Sequence, residues 1–148
     1  MWLPACAVGG VAAVLGLFRL DRRSYWTDEA FNVVLVREDW GTFLRTIAKQ
    51  EPSQAVYLVL FNPWVALVGE GEWLTWLPSV VAAALAAALL VDLGRRLFDA
   101  RIGAVAGVLL ACNAAVVEWS QYTRTYSLAV LAAVVPSELY LRARLSPD

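Results

Sequence analysis

Two short stretches carry residue types that do chemistry at this spacing. The first is Asp28-Glu29, preceded by Ser24-Tyr25-Trp26-Thr27. Adjacent carboxylates beside aromatic rings can act as a general base and its hydrogen-bonding neighbour. The same residues also read as a helix start, with Thr27 as cap and two acids facing the positive end of the helix dipole. The second stretch is Trp119-Ser120-Gln121-Tyr122-Thr123-Arg124-Thr125-Tyr126. Arg124 there can hold a phosphate through its planar fork of N–H donors; the alternative is an interfacial aromatic belt with a snorkelling arginine. A third polar run, 94–101, reads as a short turn that anchors topology. The chain has no histidine, so the commonest metal ligand and neutral-pH base is missing. It contains no glycine-rich phosphate loop, no HExxH and no GxSxG. A net charge of −1 gives no electrostatic case for nucleic acid.

The elements that must position these residues are apolar. Hydrophobic residues make up 60% of the chain and charged ones 17%, with a mean hydropathy of +0.60; soluble domains are closer to half apolar. Runs free of charge occupy 2–18, 74–91 and 102–117, and a fourth, 125–141, carries only Glu138. With short extensions each approaches the roughly 20 residues of a membrane-crossing helix. The expected architecture is all-α: a polytopic helical bundle with spans near 2–20, 74–94, 102–118 and 125–141. Small residues are dense in it, as at 81–90, which favours close helix approach. Cys6 and Cys112 fall inside these runs and read as small buried hydrophobes. No basic arm precedes the first run, so it reads as a retained helix of what is expected to be a piece of a longer protein.

The segment 21–73 differs. Trp40, Phe43, Leu44 and Ile47 follow one helix face, with Asp39 placed to cap it. Such a helix is expected to lie along a membrane surface. The stretch 52–69 is uncharged but interrupted by Asn62-Pro63, and reads as a kinked span or an interfacial helix. Arg95, Arg96 and Arg101 on one side, and Arg142 and Arg144 after the last run, mark cytoplasmic ends and put 118–124 outside. Arg19, Arg22 and Arg23 also prefer the cytoplasm, which by charge count alone implies five spans.

The order of these features resembles the N-terminal portion of polyprenyl-phosphate-dependent membrane glycosyltransferases. This is the C-type fold group that includes protein O-mannosyltransferases, of glycosyltransferase family 39, and the aminoarabinose transferase. The resemblance runs from Asp28-Glu29 through Pro52 and Tyr57, Gly69-Glu70, Leu77-Pro78-Ser79 and Leu93-Gly94-Arg95-Arg96-Leu97-Phe98 to the element ending at Arg124 and Tyr126. It departs in two places. The family's His-Pro-Pro-x-Tyr is 51–57 here, without the histidine, and the arginine ahead of Leu-Pro-Ser gives way to Trp76 or a neighbour. The resemblance implies an interfacial 52–69, an outward acidic pair and four spans.

It also implies a reaction: transfer of a hexosyl or mannosyl-type sugar from a polyprenyl phosphate to an acceptor hydroxyl of a protein or glycan. The transfer would occur at the outer face of a multi-pass plasma-membrane protein, with inversion. Asp28 would be the base and Glu29 its orienting partner. Arg124 would take the leaving phosphate, with Arg22, Arg23 or Lys49 as poorer candidates. Tyr57, Gln121, Tyr122 and Tyr126 would bind substrate. No cofactor is required, and a divalent metal is left open. Two other classes stay in view: a non-catalytic scaffold or inactive fragment, and a transporter-type bundle, which needs ionisable residues inside its spans.

Overall fold

The computed structural model describes residues 2–18, 20 and 24–145, which form helices and turns with no strand among them. Arg19, Arg22 and Arg23, used above for topology and as phosphate candidates, lie outside the described residues. Eight α-helices are described: α1 Leu3–Leu17, α2 Thr27–Leu35, α3 Trp40–Gln50, α4 Ala55–Val68, α5 Glu72–Leu97, α6 Ala100–Ala111, α7 Ala114–Ser120 and α8 Tyr126–Leu145.

Helix α5 is the axis. Its 26 residues rise by about 1.5 Å each and so exceed the roughly 30 Å of a bilayer's hydrocarbon core. By length and composition it is long and apolar enough to cross a membrane. The run 102–117 is not one straight helix: α6 and α7 meet at 59°, and pass the same test only as a bent pair. The break has a local cause. Asn113 ends α6 and starts α7 by accepting from the amides of Ala115 (3.0 Å) and Val116 (3.3 Å), as Asn does at helix starts. Helix α1 and the stretch Pro52–Val68 are shorter apolar helices, and α8 carries Pro136 inside and Arg142 and Arg144 in its last turn.

Helices α1, α6 and α8 pack along α5. Ala5, Val8 and Ala12 of α1 meet Ala87 and Val91 of α5 and Ala111 of α6. Glycine sets the α5–α6 distance. A Cβ on Gly103 would lie 2.5 Å from the Val91 carbonyl oxygen and 2.6 Å from the Arg95 nitrogen. Cys6 and Cys112 are free and exposed, facing away from this seam; the expectation that they are buried is corrected, because alanine and glycine occupy the contact surface instead.

A second cluster lies across α2, α3 and α4: Val33, Leu35, Phe43, Ile47, Tyr57, Leu58, Phe61 and Val65. It divides the expected amphipathic face of α3. Phe43 and Ile47 turn into this core, while Trp40 and Leu44 stay about half exposed, at 55% and 51%. Asp39 caps α3 as expected, accepting from Gly41 N (2.9 Å) and Thr42 N (3.1 Å). Pro78 removes the amide that would bond the Leu74 carbonyl one turn earlier. The Trp64 indole of α4 donates to that carbonyl at 2.9 Å, so a defect in α5 becomes the joint with α4.

At the far end of α5, Asp92 and Glu138 are each 2% exposed. Arg96 bridges them at 2.8 and 3.1 Å, Arg142 binds Glu138 at 2.7 Å, and Arg95 also pairs with Asp92. The buried acids thus carry guanidinium partners and knot α5 to α8.

Candidate functional site

The opposite end of α5 holds a cavity of about 290 Å³ lined by Trp26, Asp28, Glu29, Glu118, Trp119, Tyr122, Arg124 and Tyr126. Five of the seven residues singled out from the sequence stand on this one wall. Asp28 and Arg124 come from the first turn of α2 and from the turn between α7 and α8, and they form an ion pair. The Asp28 side chain is 69% exposed and that of Arg124 20%. The carboxylate is therefore open to an incoming group, while the guanidinium is held by its surroundings. Trp119 and Tyr126 rings stand 5.6 Å apart, tilted by 35° to each other. The Tyr122 hydroxyl donates to Glu118 at 3.1 Å.

Glu29 is a chain neighbour of Asp28 but has a different environment. It is 2% exposed. Its Oε1 accepts from the Trp76 indole (2.9 Å) and the Thr123 amide (2.7 Å), and its Oε2 accepts from the Trp26 amide (3.1 Å). The last bond is the return half of a capping box, in which the third helical residue satisfies the N-cap amide. The helix-start reading thus holds for Glu29, with Trp26 as the N-cap in place of Thr27. Asp28, one residue earlier on a helix that turns about 100° per residue, points elsewhere and is left for the cavity.

The turn that carries Arg124 is gripped at three successive backbone atoms. Ser79 donates to the Tyr122 carbonyl (2.6 Å), Glu29 accepts from the Thr123 amide, and Asn32 donates to the Thr123 carbonyl (2.8 Å). Trp76, Ser79 and Asn32 were not among the residues picked from the sequence. Asn32 had a signal: it stands three residues after Glu29, on the same face of α2. Trp76 stood out only as a residue just ahead of Leu77-Pro78-Ser79; its contact with Glu29 joins positions 47 apart and leaves no local trace.

Two expected residues lie elsewhere. Gln121 turns its amide to the end of α1, donating to the carbonyls of Gly16 (3.2 Å) and Phe18 (3.0 Å), which satisfies acceptors that a helix end leaves open. Tyr57 is 3% exposed, stacks on Phe61 and lines a separate cavity of about 130 Å³ with Leu60, Trp64, Pro78, Ser79 and Leu128. Burial pushes its phenol up from the ordinary value. Tyr25 is shifted the same way by burial, and shares a hydrogen bond with Thr75 at 2.8 Å. Lys49 faces a different surface, with Thr42, Arg45, Thr46 and Gln50. Among the described residues no group of three or more His, Cys, Asp or Glu side chains could hold a metal ion.

No curated protein and no solved structure matches the chain. A family model does: that of the dolichyl-phosphate-mannose-protein mannosyltransferases matches residues 56–145. This region contains Trp76, Ser79 and the Arg124 turn; Asp28 and Glu29 precede it and join it only through the fold. With well over half its length matched, the chain belongs to the dolichyl-phosphate-mannose-protein mannosyltransferase family, a family of membrane glycosyltransferases.

Proposed function

We propose that this chain forms the catalytic corner of an inverting glycosyltransferase that uses a polyprenyl-phosphate sugar at the outer face of the plasma membrane. The observation that carries the reading is the meeting of Asp28 and Arg124 on one cavity wall. The acceptor hydroxyl, of a protein or glycan, gives its proton to Asp28. Its oxygen bonds to the anomeric carbon, and the bond from that carbon to the phosphate oxygen breaks. The electron pair leaves with the phosphate, whose charge Arg124 meets as a bidentate partner. Trp119, Tyr122 and Tyr126 hold the sugar, and Glu29 orients the turn behind them.

The site's place along α5 supports the outward assignment. Arg95 and Arg96 are in the last turn of α5, and Arg142 and Arg144 are in the last turn of α8. By the positive-inside rule that end is cytoplasmic, and the cavity lies at the other. We read α1, α5, the bent α6–α7 pair and α8 as four crossings. Helix α4 belongs to the α2–α3 cluster and lies in the interface. Asp92 and Glu138 pair with arginines at the inner end, so among the described residues no ionisable path runs along the bundle, which disfavours the transporter reading.

The test is the stereochemistry of transfer. Full gene product in membranes is given a polyprenyl-phosphate hexose of defined anomeric configuration, and the product linkage is read by proton NMR. Inversion is expected. Retention, or no transfer to any hydroxyl acceptor, contradicts the proposal.

A further inference from the structure

We propose that Trp76 is a positioning residue for the phosphate-binding guanidinium, acting through the buried carboxylate of Glu29. This rests on the reading of Arg124 as the phosphate partner. Trp76 stands in the second turn of α5. It is 1% exposed and packs edge-to-face on Tyr25, with ring centroids 5.7 Å apart. Its indole N–H is spent on one acceptor, Glu29 Oε1, at 2.9 Å. The same oxygen holds the Thr123 amide at 2.7 Å, and Thr123 directly precedes Arg124. A single carboxylate thus joins the start of α2, the first part of α5 and the Arg124 turn.

The chemistry of that joint assigns the work to the N–H and not to the ring. Glu29 meets three N–H donors and, among the described residues, forms no ion pair. Those three donors between them fix both of its oxygens. Deleting one leaves the carboxylate less firmly placed and weakens its grip on the Thr123 amide. Phenylalanine at position 76 keeps an aromatic ring and deletes the donor.

The experiment compares binding of geranylgeranyl phosphate and geranylgeraniol to the intact chain in lipid nanodiscs, together with the exchange rate of the Thr123 amide. Variants are Trp76→Phe, Glu29→Gln and the double mutant. The expected result is a loss of phosphate-dependent affinity of about tenfold in Trp76→Phe, the order expected for a buried bond to a charged acceptor. In the Glu29→Gln background the same change at position 76 should cost less than twofold. The proposal is overturned if Trp76→Phe folds and binds within twofold of the wild type, or if its loss is undiminished in the Glu29→Gln background. Should Trp76→Phe not fold, Glu29→Gln alone decides: unchanged phosphate binding and an unchanged exchange rate of the Thr123 amide overturn it, and loss of both supports it. If the wild type binds phosphate and alcohol equally, the reading of Arg124 fails and this inference with it. If only the variants are silent, the coupling alone fails.

Discussion

Asp28 and Glu29 are adjacent in sequence and opposite in circumstance. Asp28 is open to the cavity beside Arg124, and Glu29 is sealed behind it. Exposed ion pairs contribute about 1 kcal/mol or less to stability. Asp28→Asn should therefore melt within a few degrees of the wild type in a thermal scan, so that a loss of transfer reports chemistry and not unfolding. Arg124→Lys keeps the charge and loses the planar fork. We expect it to weaken geranylgeranyl phosphate binding about tenfold, measured by calorimetry, with the alcohol unaffected. Away from the cavity, at the start of α3, Asp39 is held below its ordinary value chiefly by its hydrogen bond to the Thr42 side chain. A carboxyl lowered on folding stabilises above its unfolded pKa and loses that contribution as pH falls through the folded one. Helix α3 should therefore fray below about pH 4, seen as faster amide exchange at Gly41 and Thr42, and Asp39→Asn should flatten that dependence.

The elements show what the chain's pattern could and could not reveal. The apolar runs marked α1, α5 and α8 because burial in a membrane-like core leaves a compositional trace. The break between α6 and α7 left only Cys112-Asn113 inside an apolar run, and its cause is a cap that becomes visible once Asn113 binds Ala115 and Val116. Helix α3 was legible in period but not in partner: Phe43 and Ile47 pack into the cluster shared with α2 and α4, a contact that no local pattern encodes. The site was legible as two polar patches, since Asp28, Glu29, Tyr122, Arg124 and Tyr126 line one cavity. What joins them, Trp76, Ser79 and Asn32, shows its role in holding the turn only when the fold brings distant positions together. Glycine gives a test at this scale. A methyl at Gly103 meets α5 backbone, whereas one at Gly10 meets nothing within 4 Å. Gly103→Ala should cost on the order of 1–3 kcal/mol and lower the melting temperature in detergent. Gly10→Ala should leave it unchanged or slightly raised, since alanine is the better helix former.

At the scale of the whole molecule, α5 separates two charged ends. One holds the Asp28–Arg124 cavity, and the other the Asp92–Glu138–arginine knot. The two jobs fit that division. The knot fixes α5 to α8; in the proposed function it faces the cytoplasm, and the cavity opens where lipid-linked sugar and acceptor would meet. In a chain freed of its own thiols by Cys6→Ala and Cys112→Ala, an impermeant thiol reagent should label the Asp28→Cys variant on intact cells. The Asp99→Cys variant in the same background should be labelled only after permeabilisation. The most direct measurement of the central claim is the rate of sugar transfer from a polyprenyl-phosphate hexose by the full gene product carrying Asp28→Asn. Removal of a general base predicts a fall of about 10²–10⁴-fold, with lipid-phosphate affinity kept within threefold. Transfer at the wild-type rate by a folded Asp28→Asn protein would contradict the account.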